Sequence, residues 1–539
     1  MDPERAPRPG AGRTGPDLRT LGTRSTRYHR PRAPFCGVGY CTNCLVRVNG
    51  VPNVRACQTE FAPGDTVTVE NAWPSARFDL LATFDVLFPS GIDTLRGFRR
   101  PAFARTLYQR VVRRLAGTGA FPTPTHPVGI PPAKRLETDV VIIGGGTAGR
   151  ACAAAFVAAG GSSVVVEREP HGSPVTGAET LLGTTAVFLP PPDPGRPHPF
   201  RLIASATGGS AVDVQARRVV VAVGGYDASL WFAGSDRPGV LTADGAERMR
   251  PAEAPGFRRA VVFGGGPRAL EMLNRFSDHA EALVAPGAID PDVSRRGSEL
   301  DIPLYPRTLL LGALGRRQVT KLRLARRGGH SPTFDVAADA VILAHRRLPH
   351  AQLFFQAGAR MTWQPVVGAY TPALGPGGQT TVPGLFAVGE PAGARSADDA
   401  RTSGTTAAAA LLAGGSWPSL APTAGDPSHH ELEGYYQELL TAGPGPGKVV
   451  ACPCEDVLLS ELLEATDRGY RGIEVAKRYT GLGTGMCQGR YCLPEALLVL
   501  ALRERRPVSE VGYITQRPPV VPTPLGALAG LPDPGGPVA

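Results

Sequence analysis

Long apolar runs are absent from this 539-residue sequence. No segment approaches the roughly 20 consecutive apolar residues that cross a bilayer, and no apolar stretch follows the charged N-terminus as it would in a secretory signal. We therefore expect a cytoplasmic protein that attaches to membranes at most peripherally, through a partner.

Aromatic residues are also scarce, at 6% of the chain. Residues 1–24 contain five arginines but no aromatic residue, whereas proteins that bind single-stranded nucleic acids combine cationic and aromatic side chains. We interpret this basic tail as unstructured, and nucleic acid is not a predicted partner. A second basic stretch, residues 96–114, is either a solvated helix face or a docking surface for an acidic partner.

The sequence shows no Ser/His/Asp triad and no pair of catalytic carboxylates. His345 and His350 lie in a loop-like segment and are predicted to face solvent. Cys152 lies in an Ala-rich helical stretch and is predicted to be a buried packing residue, because Cys behaves as a small hydrophobe. No catalytic residue is therefore assigned, and bound cofactors are expected to carry the chemistry.

Eight of the nine cysteines form two tight groups. The first group has the spacing C-x4-C-x2-C-x12-C and consists of Cys36, Cys41, Cys44 and Cys57. Disulfides are not expected in a cytosolic chain, and C-x4-C-x2-C with a distant fourth Cys is the plant-type [2Fe–2S] pattern. A zinc site is the weaker alternative, because zinc usually takes two C-x2-C-like pairs.

The second group has the spacing C-x-C, then 32 residues, then C-x4-C, and consists of Cys452, Cys454, Cys487 and Cys492. The segments LLSELLEATDRGY and GIEVAKRYT between the pairs, and LPEALLVLALRE after them, have the periodicity of amphipathic helices. The pattern predicts a small helical module that holds a second [2Fe–2S] cluster at its loop ends, again with zinc as the alternative.

A dinucleotide site is predicted by TDVVIIGGGTAGRACAAAFVAAGGSSVVVE. Gly144, Gly146 and Gly149 form G-x-G-x-x-G between a strand and a helix. These glycines allow a tight turn, close approach of the backbone to a pyrophosphate, and close packing of helix on strand. The helix N-terminus would face the diphosphate, and Glu167, at the end of the second strand, would bind the adenosine ribose.

Two later strands end in glycine and favour a flavin as the bound dinucleotide. They are RRVVVAVGGYD, residues 217–227, and VPGLFAVGEPAG, residues 382–393. In the second, Gly389 and Glu390 can place a carboxylate near the ribityl and pyrophosphate oxygens of a flavin. The predicted cofactor is therefore FAD.

A second turn of the same kind, G-x-G-x-x-A, is formed by Gly264, Gly266 and Ala269. No acid ends the strand that follows, and Arg268 lies in the turn. NADH binding is therefore not expected, and the segment is either a retained structural domain or a site for another adenine nucleotide.

These motifs resemble one known family. TRYHRPR followed by CGVGYCTNCLVRVNGVPNVRAC is similar to the ferredoxin-like domain of hydrogen cyanide synthase and of the sarcosine oxidase alpha subunit. VVVAVGGYD…DRPGVLTADGAERM and CPCED…GMCQGRYC resemble the same family, and the core is similar to the pyridine nucleotide–disulfide reductases. The resemblance covers about residues 25–505 in family order.

The resemblance implies an α/β flavoprotein with two Rossmann-like dinucleotide-binding domains, an N-terminal ferredoxin-like β-grasp domain and a C-terminal helical [2Fe–2S] module. It also implies an oxidoreductase subunit that relays electrons in a heteromeric dehydrogenase of an amine or amino acid, such as glycine, sarcosine, proline or an opine. In such complexes a D-amino-acid-oxidase-like flavoprotein beta subunit oxidises the substrate, and a separate acceptor takes the electrons. Whether a flavin at the subunit interface is FAD or FMN stays open at this point.

Two alternatives stay open as well. Only about 16 residues separate Glu167 from GTTAVF, where the family usually has a longer stretch that reaches toward the isoalloxazine ring. Because of this shortening, a cluster-holding scaffold protein with a decayed flavin site stays open as one alternative. A self-sufficient NAD(P)H-dependent reductase of a ferredoxin-type acceptor is the other alternative, and it would need a working second nucleotide site.

The expected domain order follows the motifs. It is a basic tail (1–24), a ferredoxin-like [2Fe–2S] domain (25–85), a linker (86–136), the first part of the FAD domain (137–250), a second nucleotide-binding-like domain (251–374), the second part of the FAD domain (375–420), a linker (421–448), a C-terminal [2Fe–2S] domain (449–505) and a Pro/Gly-rich tail (506–539).

Overall fold

The computed structural model describes residues 23–69, 71–88, 129–249, 256–328, 332–365, 367–413, 428–442 and 448–531. Nearly all of the predicted basic tail and all of the basic stretch 96–114 lie outside these ranges. The described residues form two compact units. Unit 1 takes those before residue 124, those of 227–346 and those of 427–513, and unit 2 takes those of 124–226, 347–426 and 514–539.

The helices of the described residues follow one another along the chain as α1 (Thr83–Leu87), α2 (Thr147–Ala158), α3 (Ala243–Met249), α4 (Pro267–Arg275), α5 (Pro291–Glu299), α6 (Gln352–Gln356), α7 (Ala397–Ala413), α8 (Ser428–Ala442), α9 (Leu459–Asp467), α10 (Ile473–Thr480), α11 (Leu493–Glu504), α12 (Val508–Val511) and α13 (Leu525–Ala529). Within the described ranges, none of them is both long and apolar enough to cross a membrane.

The strands are, in chain order, β1 (Thr23–Arg24), β2 (Pro31–Arg32), β3 (Leu45–Val48), β4 (Val51–Arg55), β5 (Val67–Thr68), β6 (Lys134–Ile143), β7 (Ser163–Val166), β8 (Glu179–Leu181), β9 (Thr184–Phe188), β10 (Phe200–Ala206), β11 (Ala211–Val221), β12 (Gly225–Asp227), β13 (Val240–Thr242), β14 (Ala260–Phe263), β15 (Ala280–Val284), β16 (Leu304–Tyr305), β17 (Thr308–Leu314), β18 (Lys321–Arg326), β19 (Phe334–Ala337), β20 (Ala340–Leu343), β21 (Arg347–Pro349), β22 (Met361–Gln364), β23 (Ala369–Pro372), β24 (Leu385–Ala387), β25 (Val450–Cys452) and β26 (Val457–Leu458).

Unit 2 is built on a sheet in which β8, β7, β6, β11 and β24 run parallel. Strands β10 and β9 extend the sheet from β11 in antiparallel pairing. The apolar run from Val140 to Ile143 is buried, as expected for a parallel strand covered on both faces. Helices α2 and α7 pack together, and Gly404 permits this because a Cβ there would lie 2.2 Å from the Ala148 carbonyl oxygen.

Unit 1 contains a second parallel sheet, with the strand order β13-β20-β14-β15-β16. Strand β13 falls within the range predicted for the flavin domain, yet it pairs with β20 of this sheet. Conversely, β22 and β23 fall within the range predicted for the second nucleotide domain, but they lie in unit 2. These differences arise because strands pair through hydrogen bonds between residues far apart in the chain, and the local sequence does not indicate which strands will pair. The two parallel sheets confirm the predicted α/β class.

The N-terminal and C-terminal motifs belong to unit 1 as well. The N-terminal part forms the antiparallel sheet β4-β3-β5 and the β1–β2 pair. The C-terminal part forms the β25–β26 hairpin followed by α9, α10 and α11. The three helices predicted around the second cysteine group are therefore confirmed.

A buried network of ion pairs joins these parts of unit 1. Arg30 donates to both carboxylate oxygens of Asp236, from Nε at 2.8 Å and from a terminal nitrogen at 3.0 Å. Arg32 bonds to Asp236 with one terminal nitrogen and to Asp456 with the other. Asp456 also accepts the backbone N–H of Arg27 at 2.8 Å. The network therefore ties the TRYHRPR, DRPG and CPCED segments into one buried contact.

The carboxylate of Asp236 is the centre of this network. Burial raises the pKa of Asp236, but Arg30 and Arg32 lower it more, so its pKa falls well below the ordinary value. Taking these charges out of water is costly, and the cost is offset only while each charge keeps its partner. The arrangement therefore makes the three segments interdependent.

We predict that Asp236→Asn lowers the free energy of unfolding of unit 1 by about 3–5 kcal/mol, because it leaves two buried guanidinium groups short of a countercharge. The exposed Asp335, which pairs with Arg323 at 2.9 Å, is the matched control, and Asp335→Asn should cost about 1 kcal/mol or less. Urea unfolding followed by circular dichroism measures both. Because the pKa of Asp236 is depressed, the stability that its ionised carboxylate contributes should be fully present at a pH above the ordinary Asp pKa of about 3.9. That stability should be lost as the pH falls further, because the carboxylate becomes protonated. Equal losses in the two variants would contradict the assignment.

Candidate cofactor sites

The first glycine turn has the geometry of a dinucleotide cradle. A Cβ on Gly149 would lie 1.9 Å from the Gly144 carbonyl oxygen, and Gly144 itself has a φ of +108°. Gly146 is the N-cap residue of α2, and there is open space where its Cβ would be. No side chain caps the first N–H groups of the helix. The helix therefore presents its N-terminal N–H groups beside an open glycine, which fits a bound diphosphate.

Glu167 closes one side of this turn. Its Oε2 accepts the backbone N–H of Gly145 at 2.5 Å, and its Oε1 accepts that of Glu169 at 2.7 Å. Each carboxylate oxygen keeps a second lone pair, so the group can still accept from ribose hydroxyls. The chain then returns directly through the edge strand β8, and no helix forms between Glu167 and that strand.

Gly389 and Glu390 lie in the same unit, at the end of β24. Gly389 adopts a φ of +72°, and its N–H donates to the hydroxyl of Ser403 at 2.8 Å. The Oε1 of Glu390 accepts from Nε of Arg347 at 2.9 Å, whereas its Oε2 is buried without a hydrogen-bond partner among the described residues. A buried acceptor of this kind suits a hydroxyl donor such as the ribityl chain of a flavin.

Two further residues lie beside Glu390. Gly225, in one of the glycine-ended strands that favoured a flavin, must be glycine, because a Cβ there would lie 2.5 Å from the Leu348 carbonyl oxygen and 2.0 Å from Oε2 of Glu390. Arg347 donates both to Glu390 and to the Gly225 carbonyl oxygen, the latter at 2.9 Å. Arg347 was missed by sequence reasoning, because no motif includes it.

One side of the second glycine turn, at Gly265, is occupied by its own chain. A Cβ on Gly265 would lie 2.4 Å from the Ala288 carbonyl oxygen, and the N–H of Asp290 donates to the Gly265 carbonyl oxygen at 2.8 Å. Arg327 anchors this covering loop, because it donates to the Pro286 carbonyl oxygen at 2.7 Å. The loop 285–290 therefore occupies the place after β15 where an acidic side chain would be required to bind a ribose.

Arg268 of this turn is also engaged within the protein. Its Nε donates to Asp227 at 3.2 Å, and one terminal nitrogen donates to Glu247 at 2.9 Å. Gly264 and Gly266 keep the backbone of a nucleotide turn, with open space at Gly266. The geometry is thus that of a retained Rossmann turn whose cationic side chain already pairs with carboxylates.

The first cysteine group is brought together as a largely buried quartet, in which Cys57 is the most exposed member. Cys36 shares hydrogen bonds with Cys41 and Cys57, and Cys57 shares one with Cys44. Burial raises the pKa of Cys36, but those hydrogen bonds lower it more, so its pKa lies well below the ordinary thiol value, whereas the pKa values of Cys41 and Cys57 are raised well above it. The opposite directions follow from thiols that hydrogen-bond to one another, and the form in which cysteines bind metals is the thiolate.

Two glycines shape the loop of this quartet. Gly37 and Gly39 have φ values of +64° and +75°. A Cβ on Gly37 would lie 2.9 Å from the Cα of Gly245. The loop between the first two cysteines therefore requires glycine both for its backbone conformation and for its close packing.

The second cysteine group forms a similar quartet. Cys452 shares hydrogen bonds with Cys454 and Cys492, and Cys454 shares one with Cys487. All four are buried. Gly485 makes room for them, because a Cβ there would lie 2.4 Å from the Cβ of Cys454.

The spacing of the first quartet favours a two-iron core over a single ion. Structural zinc takes four ligands around one point, usually from two C-x2-C-like pairs, whereas a [2Fe–2S] core spreads four ligands over two irons and has the C-x4-C-x2-C spacing of Cys36, Cys41 and Cys44. All nine cysteines are free thiols, as expected for a chain without disulfides.

The histidines of AHRRLPH are not solvent-facing, and that prediction is wrong. His345 and His350 are only 9% and 8% exposed. His345 lies just after β20, against the ring of Phe263, and burial lowers its pKa to about 3 with a further contribution from Arg346. The burial of Cys152, by contrast, is confirmed, and it raises the pKa of that thiol to about 12.

Family models match the chain in the same three places. One described as a 2Fe-2S iron-sulfur cluster binding domain matches residues 17–72, an FAD binding domain matches 139–370, and a sarcosine oxidase A3 domain matches 449–531. The chain is therefore an FAD-dependent oxidoreductase that binds a [2Fe–2S] cluster. The predictions of FAD and of a [2Fe–2S] cluster are confirmed, and FMN stays a prediction.

The chain is also similar to several curated proteins. An opine oxidase subunit of Agrobacterium tumefaciens (strain Ach5) is 26% identical over 61% of this chain and 73% of its own length. The alpha subunit of sarcosine oxidase from Rhizobium meliloti (strain 1021) is 27% identical over 95% of this chain, which spans only 55% of that protein. The HcnA subunit of hydrogen cyanide synthase from Pseudomonas aeruginosa is 51% identical over 45 residues. The predicted resemblance to the sarcosine oxidase alpha subunit is therefore confirmed as a similarity over most of this chain.

A solved structure supports the fold over most of the chain. L-Proline dehydrogenase from P. horikoshii matches with a TM-score of 0.62 and 19% sequence identity, over 94% of this chain and 91% of the other. This likeness confirms the predicted α/β fold class.

We predict that Gly146→Ala lowers the flavin content of the purified protein several-fold without unfolding unit 2, because the new Cβ points into the open space of the cradle. Gly149→Ala should lose flavin and stability together, because its Cβ meets the Gly144 carbonyl oxygen. Gly266→Ala, at the equivalent place in the second turn, is the matched control and should keep its flavin. Absorbance near the flavin band, per chain, measures all three. Full flavin in Gly146→Ala would contradict the cradle assignment.

Proposed function

We propose that this chain is the electron-transfer subunit of a heteromeric amine or amino-acid dehydrogenase. The observation that supports it most is that unit 1 holds two quartets of thiols while unit 2 holds an open glycine cradle. Opine oxidase and sarcosine oxidase are the enzymes whose subunits this chain resembles, and sarcosine, glycine, proline and opines are the substrate class that we propose.

We assign the cofactor ligands to the residues that the sequence singles out. FAD would be held by the cradle and its acids, namely Gly144, Gly146, Gly149, Glu167, Gly389 and Glu390. One [2Fe–2S] cluster would be held by Cys36, Cys41, Cys44 and Cys57, and a second by Cys452, Cys454, Cys487 and Cys492. When bound, these groups supply reversible electron transfer, whereas the protein contributes position and surroundings.

The side chains of this chain act by placing and shielding those groups. The N-terminus of α2 would direct its N–H groups at the diphosphate, and the helix dipole would favour the negative charge there. Arg347 holds the carboxylate of Glu390 against Gly225, leaving one oxygen to accept a hydroxyl. Burial of most of the cysteines keeps water from their sulfurs, which helps to set the reduction potentials.

A separate flavoprotein subunit, similar to D-amino-acid oxidase, would remove two electrons and two protons from the amine to give an imine. This partner is proposed because the opine oxidase and sarcosine oxidase proteins that the chain resembles are named as subunits of larger enzymes. The final electron acceptor would be a further protein or small molecule.

The alternatives receive less support. A self-sufficient NAD(P)H reductase would need the second glycine turn to be open, yet the loop 285–290 packs against Gly265. A scaffold with a decayed flavin site would not need the close glycine packing at Gly144 and Gly149.

We predict that protein purified without oxygen contains iron, sulfide and flavin, and that Cys44→Ser and Cys487→Ser each remove about half of the iron and sulfide. The reason is that each substitution deletes one thiolate of a four-ligand set. Cys152→Ser is the matched control and should keep all of both. Elemental analysis and visible absorbance measure the outcome. Zinc in place of iron, or equal loss in the control, would refute the cluster assignment.

We predict that a substrate amine reduces the flavin and cluster absorbance only when the flavoprotein partner is co-purified, and that NADH does not reduce the isolated chain. The reason for the second expectation is that the Ala288 carbonyl oxygen lies against Gly265, and no acid for a ribose ends β15. Anaerobic stopped-flow absorbance measures both reactions. Rapid bleaching by NADH alone would instead establish the self-sufficient reductase.

A further inference from the structure

We propose that the two cysteine quartets form one two-centre relay, in which Thr42 from the loop of the first quartet hydrogen-bonds to a ligand of the second and tunes it. The inference rests on the proposed function, because it assumes that both quartets hold [2Fe–2S] clusters. It adds that electrons pass between the two clusters inside unit 1, with no flavin between them.

The hydroxyl of Thr42 connects the loop of the first quartet to a cysteine of the second. Thr42 lies between Cys41 and Cys44 in sequence, and its side chain hydrogen-bonds to the sulfur of Cys454. Adjacent Cα atoms are about 3.8 Å apart, so a ligand of one quartet lies within roughly 10 Å of a ligand of the other. Thr42 itself is only partly buried, so it is not a residue of the apolar core.

Two further contacts join the same two loops. The guanidinium of Arg490 lies 4.4 Å from the centre of the Tyr40 ring. The ring of Tyr491 meets that of Phe35 edge-on, with 5.3 Å between centroids. Each of these four residues neighbours or nearly neighbours a cysteine of a quartet, so the loops approach each other at several points.

A small cavity lies between the loops. It has a volume of about 20 Å³ and is lined by Phe35, Asn43, Trp231, Pro453 and Tyr491, among others. Oδ1 of Asn43 and Nε1 of Trp231 are both buried and have no hydrogen-bond partner among the described residues. Because two such atoms belong to its lining residues, a cavity of this size suits one water molecule that donates to Asn43 and accepts from Trp231.

The arrangement has a consequence for electron counting. Oxidation of an amine to an imine releases two electrons and two protons, and a [2Fe–2S] cluster accepts one electron. Two clusters in contact would therefore take both electrons of one turnover, one each, while the protons pass to solvent. A hydrogen bond to a ligating sulfur stabilises the added negative charge, and hydrogen bonds to cluster sulfurs are among the factors that set the potential.

Electron paramagnetic resonance of the fully reduced, full-length protein tests the proximity. We expect split or broadened signals that are not the sum of the spectra of Cys44→Ser and Cys487→Ser, which each retain one cluster. Signals that equal that sum would overturn the relay while leaving the proposed function standing. Absence of any [2Fe–2S] signal would overturn both.

Redox titration of variants tests the role of Thr42. Thr42→Val should lower the reduction potential of the second cluster and leave that of the first nearly unchanged, whereas Thr42→Ser should restore the potential because it keeps the hydroxyl. Thr68→Val, on the exposed strand β5, is the matched control and should have wild-type potentials. Equal shifts of both clusters, or no shift in Thr42→Val, would overturn the tuning role.

Discussion

The structure of unit 1 depends on one buried carboxylate–guanidinium network. Asp236 binds Arg30 and Arg32, and Arg32 in turn binds Asp456. These residues come from three segments that are far apart in the chain, and two of the segments border a cysteine loop: Arg32 lies four residues before Cys36, and Asp456 lies two residues after Cys454. Because a buried charge is tolerated only with its partner, the network places both cysteine loops at once. An apolar contact could stabilise these segments equally well, but it would not fix their register so narrowly, since the hydrophobic effect has no directionality.

The two glycine turns show how the same motif leads to different outcomes. Both have the open central glycine that a phosphate needs, at Gly146 and at Gly266. In unit 2 the strand after the turn ends in Glu167, which binds back to the turn and leaves the cradle open. In unit 1 the strand after the turn continues into a loop whose Ala288 lies against Gly265. The first two glycines of the turns are equivalent, so the difference lies in the residues that follow each strand and in the third motif position, which is Gly149 in one turn and Ala269 in the other.

The chemistry of such a protein lies in its cofactors, and the polypeptide acts through distance, burial and hydrogen bonding. Buried polar atoms without partners are rare in folded proteins. Here Oε2 of Glu390, Oδ1 of Asn43 and Nε1 of Trp231 are all of this kind within the part of the chain that the structure describes. Each lies beside a proposed cofactor site, whether the flavin cradle or the space between the quartets. These positions indicate that the three atoms form hydrogen bonds with groups other than the side chains of the protein.

The local elements of this protein could be predicted from its amino-acid order. The cysteine spacings, the glycine turns with their flanking strands, and the helices around the second quartet each depend on residues within a few positions of one another. Only the tertiary structure shows that Asp236 and Asp456 share Arg32 and that β13 joins the sheet of unit 1. It also shows that His345 is buried and that Thr42 contacts Cys454. A turn or a helix is stabilised by hydrogen bonds between near neighbours, whereas these contacts join residues up to several hundred positions apart. Which distant partners meet depends on how all the intervening segments pack, and no short pattern records that outcome.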